Sequence, residues 1–438
     1  MGEAIVGTFS AGEFKPEPTR LYRWLVLVFV SLAMFGNYYV YDALSPVADL
    51  LAKAPPIGLG FSDDNIGLLQ AIYSFPNIFT VLIGGVLIDR IGLRRSTMIF
   101  GVLCLIGPII TVASPHLWVM AAGRLVFGMG AESLVVAVTA ALARWFRGKE
   151  LSFAFGINLM IARLGSFAAL NSPTWAKPAF VNWRYPFLIA VGVSTLCVVG
   201  AIIYWIMEVY AERNYELGTA STDKVVFADL FKFGRSYWYI VALCVVFYSA
   251  IFPFQTFAVK FFIDAHGASR ELGGFLSSML TLFAMFATPL FGLMVDRVGK
   301  RALLMMFGSV LLIPVYLIMA YSSVSLFVPM AIMGVAFSLI PAVMWPSVSY
   351  IVDQGKLGTA YGLMTMIQNI GLFGFNLLIG HENTVMNASA QNPGGYNLGM
   401  WTFSILGLLG VTFAYLLHQR ETGPHGHGLE TITTKTGV

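Results

Sequence analysis

Apolar stretches of about twenty residues recur along the whole chain, and this recurrence constrains the fold more than any other feature. A helix rises about 1.5 Å per residue, so each stretch can cross a hydrocarbon layer of about 30 Å. Hydrophobic residues make up 58% of the 438 and charged residues 11%, against about 25% charged in a soluble domain. Composition therefore overrules the two or three soluble domains that length alone suggests. In lipid a backbone must satisfy its own hydrogen bonds, which leaves helices for segments of this kind. The expected fold is an all-α polytopic membrane protein with twelve transmembrane helices. The spans are expected near 22–44, 63–88, 96–114, 117–143, 149–172, 185–209, 238–263, 270–295, 301–321, 325–348, 356–380 and 396–418.

The basic residues give this count an orientation. With both termini on one side, that side holds 19 of the 26 Lys and Arg; the opposite loops hold only Lys53, Lys177, Arg184 and Arg270. Arg124, Arg163 and Lys260 lie within spans, and Lys260, near a span end, is expected to snorkel. The bias puts both termini in the cytoplasm. The net charge of +4 lies in loops beside the bilayer and gives no sign of nucleic-acid binding. Cys104, Cys197 and Cys244 all fall in apolar segments and read as packing residues. The first twenty residues are polar and show no cleavable signal peptide. The organisation expected is a cytoplasmic tail (1–21), a six-helix bundle (22–210), a polar linker (211–237), a second six-helix bundle (238–420) and a C-terminal tail (421–438).

Two charges stand inside the fourth and fifth spans. Glu132 lies twelve residues before Arg144, and Arg163 fourteen after Lys149. In antiparallel helices both groups sit roughly 18–21 Å from the basic edge, at nearly one depth. A charge at that depth is costly and marks a binding or conduction site facing the bundle interior. Glu132 and Arg163 are therefore expected to hold opposite ends of a zwitterionic solute. The alternative is a structural salt bridge with nothing between the partners.

The halves repeat. Gly85-Val-Leu-Ile-Asp89-Arg90-Ile-Gly92-Leu-Arg94-Arg95 recurs 207 residues later as Gly292-Leu-Met-Val-Asp296-Arg297-Val-Gly299-Lys300-Arg301. Gly148-Lys149 recurs as Gly355-Lys356, and Phe155-Gly156 as Tyr361-Gly362. A signature at matching points of two six-span halves indicates internal duplication, an architecture of secondary transporters. The repeated loop resembles that of the major facilitator superfamily. The resemblance implies two pseudo-symmetric six-helix bundles rocking about a central cavity. It also implies that Asp89, with Arg90 and Arg94 beside it, helps lock the inner side against a helix terminus of the other half; Asp296 and Arg297 are the second copy. The alternative is that these charges only keep the loop out of the membrane.

Further stretches narrow the likeness. Asn37-Tyr38-Tyr39-Val-Tyr41-Asp42, Tyr73-Ser-Phe-Pro76-Asn77, Gly130-Ala-Glu132-Ser133, Ala162-Arg163-Leu-Gly165-Ser166, Phe252-Pro-Phe, Trp345-Pro346 and Gln368-Asn369 are similar to the lysosomal dipeptide-transporter branch of that superfamily. The resemblance implies a dipeptide uniporter in which Glu132 and Arg163 contact the two ends of the peptide backbone. The N-terminal tail has no acidic dileucine sorting signal, so the membrane expected is a prokaryotic plasma (inner) membrane rather than a lysosomal one.

Other candidates have two readings each. Tyr38, Tyr39, Tyr73, Trp345 and Gln368 line a cavity or, for the aromatics, anchor at the lipid interface. Asn369 occupies the position matching Arg163 in the second half. Asp42 shares a helix face with Tyr38 and either helps hold the ammonium or lies at the outer boundary in water. Arg124 opens Arg-Leu-Val-Phe-Gly128, similar to a fourth-span motif tied elsewhere in the superfamily to proton coupling; the other role is locking the bundle. No Gly-x-x-x-x-Gly-Lys-Ser/Thr loop supports ATP-driven transport. No nucleophile–base constellation suggests an enzyme, and no cofactor or metal site is expected; His425 and His427 alone would hold a metal weakly. Asn387-Ala-Ser389 fits a glycosylation acceptor. The expected function is facilitative dipeptide transport by a monomer, with an accessory subunit possible. The alternatives are a proton-coupled carrier of another amphipathic solute, such as an organic anion or drug, and a non-transporting membrane receptor or partner subunit.

Overall fold

The computed structural model describes residues 16–146, 150–217 and 232–433, without the side chains of Val81, Leu82, Asp89 and Ser152. Twelve long helices carry the described chain: α1 (Arg20–Asp42), α2 (Asp63–Ile91), α3 (Leu93–Ala113), α4 (Leu117–Phe146), α5 (Leu151–Leu170), α6 (Arg184–Asn214), α7 (Arg235–His266), α8 (Arg270–Val298), α9 (Arg301–Tyr321), α10 (Phe327–Ile351), α11 (Leu357–Val385) and α12 (Asn397–Thr422). Eleven of the spans are long and apolar enough to cross a membrane; α2, with 29 residues, is the other long helix. Much of the polar linker, 218–231, lies outside the described residues, as do Arg147 and Lys149.

The duplication is visible in local chemistry. Ser62 caps α2 by accepting from the Asn65 amide, and Ser269, 207 residues on, caps α8 by accepting from the Leu272 amide. Gly92 and Gly299, again 207 apart, turn the repeated loop at φ of 87° and 66°. A side chain is strained there, which is why the motif needs glycine.

The packing repeats too. In the first half α1 packs on α5 and α6, α2 on α4, and α3 on α4 and α6. In the second half α7 packs on α11 and α12, α8 on α10, and α9 on α10 and α12. Each pairing is the other shifted by six helices. The halves meet chiefly along α2–α11 and α5–α8, which the same shift interchanges. Equivalent glycines make both contacts close. A Cβ on Gly67 would stand 2.5 Å from the Asn376 carbonyl of α11, and one on Gly274 2.4 Å from the Leu170 carbonyl of α5.

Helices within a half also touch backbone to backbone, as expected where lipid supplies no hydrophobic drive and small residues permit close approach. At the α3–α4 crossing a Cβ on Gly107 would come within 2.6 Å of the Phe127 amide nitrogen. Gly107→Val is therefore expected to cost at least about 2 kcal/mol. A lower melting temperature in detergent, with partial loss of the monodisperse peak, would register it; an unchanged melt would contradict the crossing.

An even number of spans puts both termini at one end of the bundle. At the opposite, far end, ion pairs tie half to half: Lys260 to Asp63 at 3.0 Å, Lys177 to Glu271 at 2.6 Å, and Arg270 to Asp49. At the termini end Arg20–Glu150 (2.6 Å), Arg94–Glu212 (2.8 Å), Arg144–Glu208 and Arg301–Asp296 (3.4 Å) each stay within one half. Beyond α12 the chain folds back on its own half. Leu429 is fully buried, Glu430 accepts from the Ala302 amide at 2.8 Å at the start of α9, and Arg301 donates to the Ile432 carbonyl at 2.6 Å.

Candidate functional site

A cavity of about 230 Å³ lies between the halves, with room for roughly eight water molecules. Helix α1 contributes Asn37, Tyr38, Tyr41 and Asp42; α2 Tyr73; α4 Glu132 and Val135; α5 Arg163 and Ser166. The second half contributes Tyr248 and Phe252 from α7, Trp345 from α10, and Thr365, Gln368, Asn369 and Leu372 from α11. All three charged groups come from the first half, and the second half supplies rings and neutral polar groups.

Glu132 accepts a hydrogen bond from the Tyr73 hydroxyl at 3.2 Å. Tyr73 is itself fixed by an edge-on contact with Tyr41, ring centres 4.8 Å apart, and by Arg124 5.7 Å over its face. Asn37 braces α1 against α4 by donating to the Ala131 carbonyl at 3.1 Å, one residue before Glu132. Arg163 is held differently. Its guanidinium lies over the rings of Tyr38 at 5.7 Å and Phe337 at 5.2 Å, the second reaching across from the other half. Such a clamp orients the planar fork and leaves its N–H edge free to donate. Tyr38 lines the same cavity as Arg163, Glu132 and Asp42, with its ring against the guanidinium.

Among the described residues, no ion pair within 4.0 Å joins Glu132, Arg163 or Asp42 to any partner. The alternative of a bridge closed directly between Glu132 and Arg163 is not the arrangement found. A carboxylate and a guanidinium share one cavity and are separately supported. Asp42 is buried in that cavity beside Ser166, so the reading that put it in water at the outer boundary is corrected. Across the cavity, the Trp345 indole donates to the Tyr248 hydroxyl at 2.9 Å, and Cys244 donates to Gln368 at 3.7 Å.

Other expected residues fall elsewhere. Tyr39 points away from the cavity and packs near Trp175, ring centres 6.4 Å apart. Arg124 is buried outside the cavity and donates to the Val40 and Leu69 carbonyls and to Gln70, tying α4 to α1 and α2. Lys260 does not snorkel: it is 7% exposed and bonded to Asp63, Asp264 and Tyr396. A buried three-way network stabilises its ammonium better than a reach to an interface. Of the repeated loop, the Asp89 side chain lies outside the described residues; Arg90 and Arg297 are exposed, Arg94 pairs with Glu212, and Asp296 with Arg301 of its own half. No three metal-ligating side chains converge among the described residues.

Tyr248, Thr365 and Leu372 were not among the residues singled out from the sequence. The signal was periodic. Thr365, Gln368, Asn369 and Leu372 form one stripe of α11 at spacings of three and four, and Tyr248 and Phe252 are four apart on α7.

A sequence profile for the Major Facilitator Superfamily matches residues 30–376. A Danio rerio protein named lysosomal dipeptide transporter MFSD1 is 33% identical over 368 residues, covering 80% of this chain and 78% of that protein. The Homo sapiens protein of that name is 30% identical over 426 residues, covering 93% and 89%. Among solved structures, a bacterial homologue of the human lysosomal transporter Spinster, inward-facing and unoccupied, matches with a TM-score of 0.71 at 17% identity, covering 92% of this chain and 98% of that one. A variant of the nucleoside transporter NupG matches with a TM-score of 0.70 at 12% identity, covering 90% and 99%. These two likenesses show the fold, and the matches are to transporters rather than enzymes. The family profile and the MFSD1 relatives, with the duplicated bundles and the central cavity, establish that this chain is a multi-pass membrane transporter belonging to the Major Facilitator Superfamily.

Proposed function

We propose that the chain carries dipeptides across the membrane as a uniporter, by alternating access, with Arg163 binding the substrate carboxylate and Glu132 its ammonium. The observation that carries this reading is the pair itself: an acid and a base in one cavity, each supported and neither spent on the other. A dipeptide presents opposite charges about two residues of chain apart, roughly 5–7 Å. An Arg fork takes both carboxylate oxygens, and Glu132 accepts from the ammonium. Tyr38, Tyr73, Trp345, Gln368 and Asn369 surround the backbone between, and Asp42 offers a second acceptor. The names of the MFSD1 relatives favour this solute.

With the basic end cytoplasmic, the far end is extracytoplasmic, and the pinned far end reads as an inward-facing carrier. The bundles 22–210 and 238–420 would rock about the cavity on the linker 211–237. Asp89 and Asp296 would meet a helix terminus of the opposite half when the cytoplasmic end closes. The membrane proposed is a plasma membrane, with the chain working as a monomer.

The test is ligand-dependent thermal stabilisation. Unmodified dipeptides should raise the melting temperature, whereas N-acetylated and C-amidated versions should each lose most of the shift. Equal shifts from blocked and free peptides would remove the two-ended assignment. Asp42 favours one second reading, because a buried carboxylate without a cationic partner among the described residues can carry a proton. Flux that follows a pH gradient and ignores dipeptides would select that proton-coupled carrier.

A further inference from the structure

The far-end ion pair between Lys260 and Asp63 is asymmetric in its support. Lys260 Nζ lies 3.0 Å from Asp63, but also 3.3 Å from Asp264 and 2.8 Å from the Tyr396 hydroxyl. Tyr396 in turn donates to Asp264 at 2.6 Å. Lys260, Asp264 and Tyr396 all belong to the second half, and Asp63 to the first. When the halves part at the far end, Lys260 keeps two partners. Among the described residues Asp63 keeps no cation, because Lys53, the basic side chain of its own half in this vestibule, is 3.7 Å from Asp49 and paired there. Asp63 and Lys260 are 5% and 7% exposed, so their separation changes the charge of a nearly dry floor. Above that floor lies a vestibule of about 510 Å³ lined by Asp63, Lys260 and Asp264.

We propose that Asp63 is an entry site for the ammonium group of the solute, and that Lys260 is a tethered occupant of that site while the far end is closed. An arriving primary ammonium replaces another of the same chemistry. Lys260 falls back on Asp264 and Tyr396, and the bond between the halves is released without stranding a carboxylate. Parting this pair without a replacement would leave Asp63 as an unpaired buried charge, which is costly, and like-for-like exchange avoids that cost. This inference rests on the solute being a zwitterion with a free amino end, as in the proposed function.

The test uses proteoliposomes with dipeptide supplied on the face opposite the termini, orientation being scored by an N-terminal epitope. Asp63→Asn should raise KM about tenfold, the size of one charged hydrogen bond. Lys260→Gln should lower KM, because the tethered competitor is gone. The double variant should follow Asp63→Asn. A plain gate predicts shifts in the same direction for both single variants, and that result would overturn the proposal. Should Lys260→Gln not fold, n-butylammonium gives a second measurement: it should inhibit uptake by the native chain and spare Asp63→Asn, and equal inhibition of both overturns the proposal. No dipeptide flux in the native chain would remove the proposed function and this inference with it. Normal native flux with same-direction shifts would remove this inference alone.

Discussion

Replacing Arg163 with alanine is expected to cut dipeptide uptake at least about a hundredfold while leaving the protein folded. Losing one partner of a buried, charge-assisted contact costs about 2–5 kcal/mol, much of it from the solute carboxylate left unpaired. Folding should survive because the guanidinium rests on the Tyr38 and Phe337 rings and satisfies no buried carbonyl among its described contacts. Arg163→Lys should recover part of the flux, since charge remains but the two-pronged geometry does not. Glu132→Gln, nearly isosteric, should fail to a similar extent by losing the charge that faces the ammonium. Radiolabelled dipeptide flux in liposomes reads all three. Near-normal flux in Arg163→Ala or Glu132→Gln would sink the substrate assignment and leave the carrier fold standing.

The second large effect is on stability. Arg124 is 3% exposed and serves three helices. Val40 lies in the last turn of α1, where carbonyls have no partner further along the helix. Arg124 supplies one at 3.1 Å, and reaches α2 through the Leu69 carbonyl at 3.2 Å and through Gln70. Arg124→Leu strands the Val40 carbonyl and the Gln70 side-chain oxygen in a buried site at about 1–3 kcal/mol each, whereas Leu69, inside α2, keeps its helical bond, so a loss of roughly 3 kcal/mol is expected. Thermal unfolding of the purified protein should show a large drop, with flux falling in proportion to folded protein. A variant as stable as the native chain that lost only its response to a pH gradient would move Arg124 from structure to proton coupling.

What sequence could reveal here divides along physical lines. The helices were legible because lipid makes most spans announce themselves as apolar runs, eleven of the twelve here; even the Ser62 and Ser269 caps follow the duplication that the loop motif discloses. Glu132 and Arg163 were legible as candidates because charge in such runs is rare, and equal spacing from one basic edge gives equal depth. Partnerships across the halves were not. Lys260 and Asp63 are 197 residues apart, and no periodicity links them, so a lysine near a span end read as an interface residue. Asp42 was ambiguous for the same reason: its depth depends on where α1 ends, and helix ends are the least certain feature of an apolar run. Tyr39 and Tyr38 differ by one residue, yet a helix turns by about 100° between them, enough to take Tyr39 out of the cavity.

The refolded segment after α12 bears on how the protein is handled. Glu430 and Ile432 occupy backbone and side-chain groups of the α8–α9 turn, beside the buried Arg301. Purification handles are often fused to such endings on the assumption that they dangle. Here deleting residues from Gly423 onward would uncover the Arg301 guanidinium and the socket that holds Leu429. Tags belong at the other terminus, or behind a spacer long enough to leave Leu429 seated.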